Sequence, residues 1–138
     1  MITDYFRLEG KKALITGAGK GIGARIATVF AEMGADVALL ARTESDLDSV
    51  AREVTELSRE ALTFACDVTD EAALAGVVEK LTEHWGSLDI LVNNAGAAWG
   101  ESFETFPEAG WDKVMNLNVK SIFFLTQAMH GLLKAGAS

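Results

Sequence analysis

Cysteine occurs once, at Cys66, so the chain cannot close a disulfide within itself. Two histidines, His84 and His130, add to that cysteine no spacing that would hold zinc, and no metal is expected. Basic residues are the minority: 12 Lys and Arg against 20 Asp and Glu leave a net charge of −8. That balance argues against general attraction to nucleic acid or to an anionic membrane, although it leaves room for a local basic pocket. No apolar run approaches the ~18 residues of a membrane span. Met1 to Gly10 carries Asp4, Arg7 and Glu9 where a signal peptide would need an apolar segment, so the cytoplasm is the expected compartment. Linkers, repeats and low-complexity tracts are also missing. What remains is 138 residues, 49% apolar and 23% charged, which reads as a single soluble domain, 1–138. A chain of this length can bury roughly 70% of the surface its unfolded form exposes.

Two kinds of segment alternate along the chain. Short apolar runs at Lys12–Thr16, Asp36–Ala41, Ala61–Ala65 and Leu88–Asn93 are too short for helices and read as buried strands. Longer segments between them have helical spacing. Ile22, Ile26, Val29, Phe30 and Met33 make one apolar stripe, and Leu47, Val50, Ala51, Val54 and Leu57 a second. Leu74, Val77, Val78, Leu81 and Trp85 make a third, and Trp111, Val114, Met115, Ile122, Leu125 and Met129 a fourth. Thr43 and Thr69 stand where the second and third helices need N-caps, and Gly34 and Gly86 where the first and third should stop. The one proline, Pro107, suits the start of the fourth helix, and Lys134 and Gly136 its end. Strand–helix alternation repeated four times predicts an α/β fold: a Rossmann-like, doubly wound parallel sheet covered by helices on both faces. About four strands and four helices are present, with the strand order 3-2-1-4 expected.

The turn after the first strand reads Thr16-Gly17-Ala18-Gly19-Lys20-Gly21-Ile22-Gly23. Glycines at 17, 21 and 23 between a strand and a helix suit a pyrophosphate. The helix N-terminus offers unpaired N–H groups and the positive end of its dipole, and the missing side chains permit a sharp turn and a close approach. A P-loop is disfavoured, because Lys20 is followed by Gly21 and not by Ser or Thr. The second strand ends Leu39-Leu40-Ala41-Arg42-Thr43. Dinucleotide folds that take NAD place an acid there for the ribose hydroxyls. Here that position is Ala41, followed by a guanidinium that can pair a 2′-phosphate through two donors, with Lys20 as a second nearby cation. Read this way the cofactor is NADP(H); read blandly, Arg42 and Lys20 are solvated surface cations.

Three further motifs complete a resemblance to the short-chain dehydrogenase/reductase family, running from about Leu8 to about Leu133. Asn93-Asn94-Ala95-Gly96 follows the fourth strand and resembles the family's NNAG signature. Cys66-Asp67-Val68 follows the third, where the family's Asp-Val pair contacts adenine. Asn118, in Met115-Asn116-Leu117-Asn118-Val119-Lys120, is similar to the family's catalytic asparagine. The resemblance implies cofactor contacts from Gly17, Ala18, Gly19, Lys20, Gly21, Ile22, Gly23, Arg42, Asp67, Val68, Asn94, Ala95 and Gly96. It also implies that the Asn118 side chain disrupts the helix locally and that the backbone carbonyl of Asn118 holds a water in a proton relay. Spacing independently puts Asn118 within the buried stripe of the fourth helix, four residues after Val114 and four before Ile122, where an amide needs its hydrogen bonds met. A satisfied core asparagine is the alternative there, as a structural fastening is for Asn93 and Asn94 and a turn closure for Asp67. A narrower likeness, in Leu88–Gly96, Ala98-Trp99-Gly100 and Gly110–Met115, is to the family's β-ketoacyl reductases, including the type associated with rhamnolipid synthesis. It implies a 3-oxoacyl thioester or a similar ketone as substrate.

Family reductases use a tyrosine as general acid, a lysine four residues later and a serine. The only tyrosine here is Tyr5, and position 9 is Glu9, so chain 1–138 is expected to be the N-terminal part of a longer family domain and to lack turnover alone. His84 and His130 read as solvated, and Cys66 as a small buried apolar residue. Trp99, Phe103 and Phe106 fit either a substrate cleft or loop packing. The fourth strand is expected as a bare, apolar edge, and the apolar run Ile122-Phe123-Phe124-Leu125 as a face for another helix. The expected partners are therefore a small ketone or alcohol and either a second copy or the missing C-terminal half. A non-catalytic nucleotide-binding module and an assembly fragment are the competing readings.

Overall fold

Side chains alternate across a strand, so each of the predicted strands sends odd and even residues to opposite faces. The computed structural model, which describes all 138 residues, shows this sorting directly. Leu14, Ala38 and Leu40 point to one face, with Leu74, Val77, Leu81, Leu125 and Met129 packed on them. Ala13, Ile15, Val37 and Leu39 point to the other, under Ala27, Ala31, Leu47, Val50 and Val54. Both faces are dry, and each fully buried Leu or Ile contributes about 1.5–3 kcal/mol relative to exposure.

The strands are β1 (Lys12–Thr16), β2 (Asp36–Ala41), β3 (Ala61–Ala65) and β4 (Ile90–Val92), all parallel, in the order β3-β2-β1-β4. Register runs Ala13↔Val37 and Ile15↔Leu39 on one side of β1, and Ala13↔Ile90 and Ile15↔Val92 on the other. The helices are α1 (Gly21–Glu32), α2 (Glu44–Glu56), α3 (Glu71–His84), α4 (Glu108–Met115) and α5 (Ser121–Met129), and a π turn, Asn116–Lys120, joins the last two. Gly34 and Gly86 end α1 and α3 in the left-handed region, at φ 104° and 75°, as C-terminal stops do.

Several expectations need correction. In α1 the buried face is Gly23, Ala27, Thr28 and Ala31, and Ile22 is 74% exposed. The residues buried most deeply are the small ones nearest the sheet, while Ile26 and Phe30 of the predicted stripe pack half-buried on the same core. Leu57 falls outside α2 and is exposed. Thr43 holds the N-cap position of α2 without a side-chain bond. The cap of α3 is Asp70, whose carboxylate accepts from Ala73 N–H at 3.0 Å, because Thr69 is already spent on Asp67. The predicted fourth helix is broken: the π turn interrupts it, Trp111 is 60% exposed, and of its stripe only Leu125 and Met129 are fully buried. It ends at Met129, short of Lys134.

The fourth strand is shorter than its apolar run and is not a bare edge. Leu132 to Ser138 lies along it: Leu88 N–H donates to Leu132 O at 2.7 Å, and Leu91 N–H to Ser138 O at 2.7 Å. Asp89, buried between β1 and this segment, accepts from Lys12 N–H at 2.9 Å and from Lys134 Nζ at 2.8 Å. Burial opposes its ionisation, but these two bonds and the charges of Lys134 and Lys11 outweigh that and hold its carboxyl below the ordinary range. Cys66 is buried as expected, and burial pushes its thiol pKa up. His84 lies at the surface, as expected, but its Nε2 sits 2.7 Å from Glu60 Oε2. No helix is long and apolar enough to cross a membrane, and no cluster of His, Cys, Asp and Glu is arranged to hold a metal ion.

Candidate functional site

The strand order creates the site. The chain leaves β1 toward β2 on one side, whereas β4 lies on the other, so the loops after β1 and β4 part at the carboxyl ends of the strands and leave a crevice between them. One side chain ties the two loops at the root of that crevice. Thr16, buried at the end of β1, accepts through Oγ1 from Asn94 N–H at 3.0 Å and Ala95 N–H at 2.9 Å, and donates to Val92 O at 3.3 Å. Asn94 reciprocates: its Nδ2 donates to Thr16 O at 3.1 Å and Gly17 O at 3.3 Å. Asn93 turns away and reaches Thr126 Oγ1 at 3.4 Å.

Close approach explains two of the glycines. A Cβ on Gly23 would lie 2.1 Å from Gly17 O and 2.6 Å from Asn94 Nδ2, so nothing larger lets α1 seat on the turn. Gly21, at φ 59°, has open space where a side chain would stand, and its requirement is conformational.

The crevice widens into a cleft of about 490 Å³. Nine of the predicted cofactor residues line it: Gly17, Gly19, Lys20, Arg42, Asp67, Val68, Asn94, Ala95 and Gly96. Ala18 is buried behind the turn and bonds through its N–H to Leu40 O at 3.2 Å. Gly21, Ile22 and Gly23 form the first turn of α1 and do not line the cleft wall. Their amides are nonetheless free. The first bond of the helix runs from Ala24 N–H to Lys20 O, Lys20 supplies no side-chain cap, and the first turn holds no acid. Three N–H groups at the positive end of a 12-residue helix therefore lack an acceptor in the protein, the donor set that an anion fits.

Ala41 stands beside the glycine turn, its Cβ 3.4 Å from where a Cβ on Gly19 would lie; Arg42, which follows it, lines the cleft and forms no ion pair, and Lys20 and Lys113 form none either. Two carboxylates share this wall. Asp67 is held by Thr69, whose N–H and hydroxyl donate at 2.9 and 2.8 Å. Those bonds, with the nearby Arg42 charge, keep its carboxyl below the usual range. Asp46 stands against Gly19, where a Cβ would meet its own Cβ at 2.9 Å.

Asn118 lies within the π turn, half-buried and outside the cleft lining. Its amide is fully matched to one residue of the loop after Gly96: Nδ2 donates to Ala97 O at 2.8 Å, and Oδ1 accepts from Ala97 N–H at 2.9 Å. The arrangement satisfies the amide and straps that loop to the helix. Sequence reasoning missed Thr16, Asp46, Lys113, Asn116 and Leu117 as parts of the site. The last three line the cleft, Lys113 from α4 and Asn116 and Leu117 from the π turn, which the sequence pattern does not predict.

Comparison with known proteins adds the following. Residues 11–138 match the short chain dehydrogenase family. The chain is 42% identical over 136 residues to the rhamnolipids biosynthesis 3-oxoacyl-[acyl-carrier-protein] reductase of Pseudomonas aeruginosa, covering 97% of this chain and 52% of that protein. It is 41% identical over 129 residues to a 2-dehydro-3-deoxy-D-gluconate 5-dehydrogenase of Dickeya dadantii, covering 94% and 50%. Among solved structures, the RhlG/NADP active-site complex of Pseudomonas aeruginosa superposes with a TM-score of 0.88 at 40% identity, over 97% of this chain and 52% of that one. A 7α-hydroxysteroid dehydrogenase complexed with NADH superposes with a TM-score of 0.87 at 38% identity, over 94% and 51%. The chain thus spans about half the length of the relatives it matches.

Proposed function

The chain belongs to the short-chain dehydrogenase family, and from that premise we propose that it forms the nucleotide-binding half of an NADP(H)-dependent oxidoreductase acting on a ketone or alcohol. The observation that carries this reading is the combination of a free helix N-terminus, directly after the glycine turn, with an unpaired guanidinium lining the cleft that this turn borders. The amides of Gly21, Ile22 and Gly23 suit the pyrophosphate. Arg42 suits the 2′-phosphate, and Ala41 places no acid at the end of β2, although Asp46 and Asp67 line the same wall. Val68 and Asp67 would flank the adenine, and Asn94, Ala95 and Gly96 the far half of the nucleotide. A bound nicotinamide would supply or accept hydride.

The residues of this chain bind and orient. Asn118 acts on the reacting end through Ala97, by fixing where the loop after Gly96 stands. No Ser, Tyr and Lys set for proton transfer is brought to the cleft; Tyr5 is exposed, in a short helical turn before β1. Binding without turnover is therefore proposed for residues 1–138 alone. A 3-oxoacyl thioester is the favoured substrate class, supported by the 3-oxoacyl reductases among the relatives.

Calorimetric titration with NADPH and NADH tests the reading. A charge-assisted contact contributes about 1.5–3 kcal/mol, so Arg42→Ala should weaken NADPH about 10- to 100-fold. NADH affinity should move by less than about threefold, since it lacks the 2′-phosphate. Equal losses for both nucleotides, or no binding of either by the unaltered chain, would overturn the assignment.

A further inference from the structure

Gly110 is the only buried residue of α4, a helix otherwise open to solvent. Helix propensity favours alanine at such a position. What glycine provides here is a bare Cα for the indole of Trp99 to lie against. A Cβ on Gly110 would come within 2.9 Å of Trp99 Cγ and Cδ2 and 3.0 Å of Cε2, so the ring covers the spot where the side chain would be. Lys113, one turn further along α4, holds its ammonium 5.7 Å from the centre of the same ring. Trp99 Nε1 donates to Glu101 Oε2 at 3.3 Å, which fixes the ring's outer edge.

This stack does not stand alone. Two residues before Trp99, Ala97 is held by Asn118 through its own N–H and carbonyl. The strand of loop leaving the cleft at Gly96 is thus fastened twice to consecutive segments, by a hydrogen-bonded pair at the π turn and by a flat aromatic contact on α4. Beyond Trp99 the chain runs out into solvent in a short helical turn, Phe103–Thr105, whose Phe103 is 93% exposed. Lys113 also lines the cleft, so the second fastening shares a side chain with the nucleotide wall.

We propose that Gly110 is a positioning residue: by seating the Trp99 indole, it locks the loop after Gly96 onto α4 and presets the wall that meets the nicotinamide half of the nucleotide. The role rests on the nucleotide-binding reading given above. It assigns to Gly110 a requirement for no side chain at all, opposite in sign to its helix propensity.

The test combines hydrogen exchange across residues 97–105 with affinities for NADP⁺ and for 2′,5′-ADP, which lacks the nicotinamide half. Gly110→Ala should raise exchange in that loop by about tenfold or more. It should weaken NADP⁺ about three- to tenfold while leaving 2′,5′-ADP within about twofold. In a Trp99→Leu background, the same Gly110→Ala change should add less than about twofold to either quantity, because the colliding ring is gone. Trp99→Leu alone should loosen the loop, and it carries the test if Gly110→Ala does not fold. Loop exchange unchanged in either single variant, or a Gly110→Ala effect that persists in full without the indole, overturns the lock while leaving nucleotide binding intact. A chain that binds neither ligand overturns the positioning role together with the proposed function.

Discussion

Replacing Gly23 with alanine probes the geometry on which the cleft depends. The added methyl would enter 2.1 Å from Gly17 O and 2.6 Å from Asn94 Nδ2, so either α1 or the turn has to move. Overpacking of this kind costs about 1–3 kcal/mol. The displacement also strains the two bonds from Asn94 to Thr16 O and Gly17 O, each contributing about 1 kcal/mol. Against this stands a gain of about 0.5–1 kcal/mol from exchanging glycine for alanine in a helix. The net expectation is a loss of about 3 kcal/mol. With an unfolding entropy of about 2.1 cal/mol/K per residue over a chain of this length, that lowers Tm by about 10 °C.

Two other glycines separate the causes. Gly21→Ala meets no atom within 4 Å but forces a methyl into the left-handed region, which costs about 1–2 kcal/mol without a clash. Gly76→Ala, inside α3 with open space around it, should stabilise by about 0.5–1 kcal/mol. Thermal and urea denaturation of the three variants give the order Gly76→Ala above the unaltered chain, then Gly21→Ala, then Gly23→Ala. A Gly23→Ala chain melting within about two degrees of the original would refute the close approach of α1 to the turn, and with it the placement of the three free amides.

Asn118→Ala leaves the N–H and carbonyl of Ala97 without partners, at about 1–3 kcal/mol for each group that stays out of water, measurable as a shift in urea midpoint. Asn118→Asp keeps the bond from Ala97 N–H, loses the donor to Ala97 O and should fall between the two. Asp89 predicts an acid limb. Its folded pKa lies below the unfolded value of about 3.9, so its contribution is complete above that value and is lost as pH falls through the folded pKa. Asp89→Asn should therefore lower the urea midpoint at pH 7, with the gap to the original chain closing below about pH 4. Trp111, Met115, Val119 and Phe123 recur every fourth residue and are all exposed, so self-association through this stripe is expected. Phe123→Ser should shift size-exclusion elution toward the monomer, and unchanged elution would count against the stripe as the contact.

How much of this was legible before the fold was known depends on the kind of signal each feature leaves. β1 and β2 are where their apolar runs stand, because strands buried on both faces need consecutive apolar residues; β3 also stands at its run, but as the sheet edge, with Thr63 and Ala65 exposed and no residue fully buried. α1 misled for the same reason in reverse. Its most buried residues are Gly23, Ala27, Thr28 and Ala31, which carry little hydropathy; Ile26 and Phe30 of the predicted stripe pack on the same core only half-buried, and Ile22 faces out. Thr16 looked like the last residue of a strand; its double acceptor role exists only because β4 brings Asn94 and Ala95 to it from 78 residues away. The π turn likewise leaves no periodicity of its own, and Asn116 and Leu117 reach the cleft from it.

The glycine turn and NNAG were readable because each must satisfy a local rule, one for a positive helix end and one for a strand end. That they serve one site is not local at all. It follows from strand order: with β4 on the far side of β1, the loops after these two strands are the pair that must diverge, and a buried hydroxyl at Thr16 is what keeps them divergent by a fixed amount. A sequence carrying both motifs in a different strand order would have the residues and no crevice to put them in.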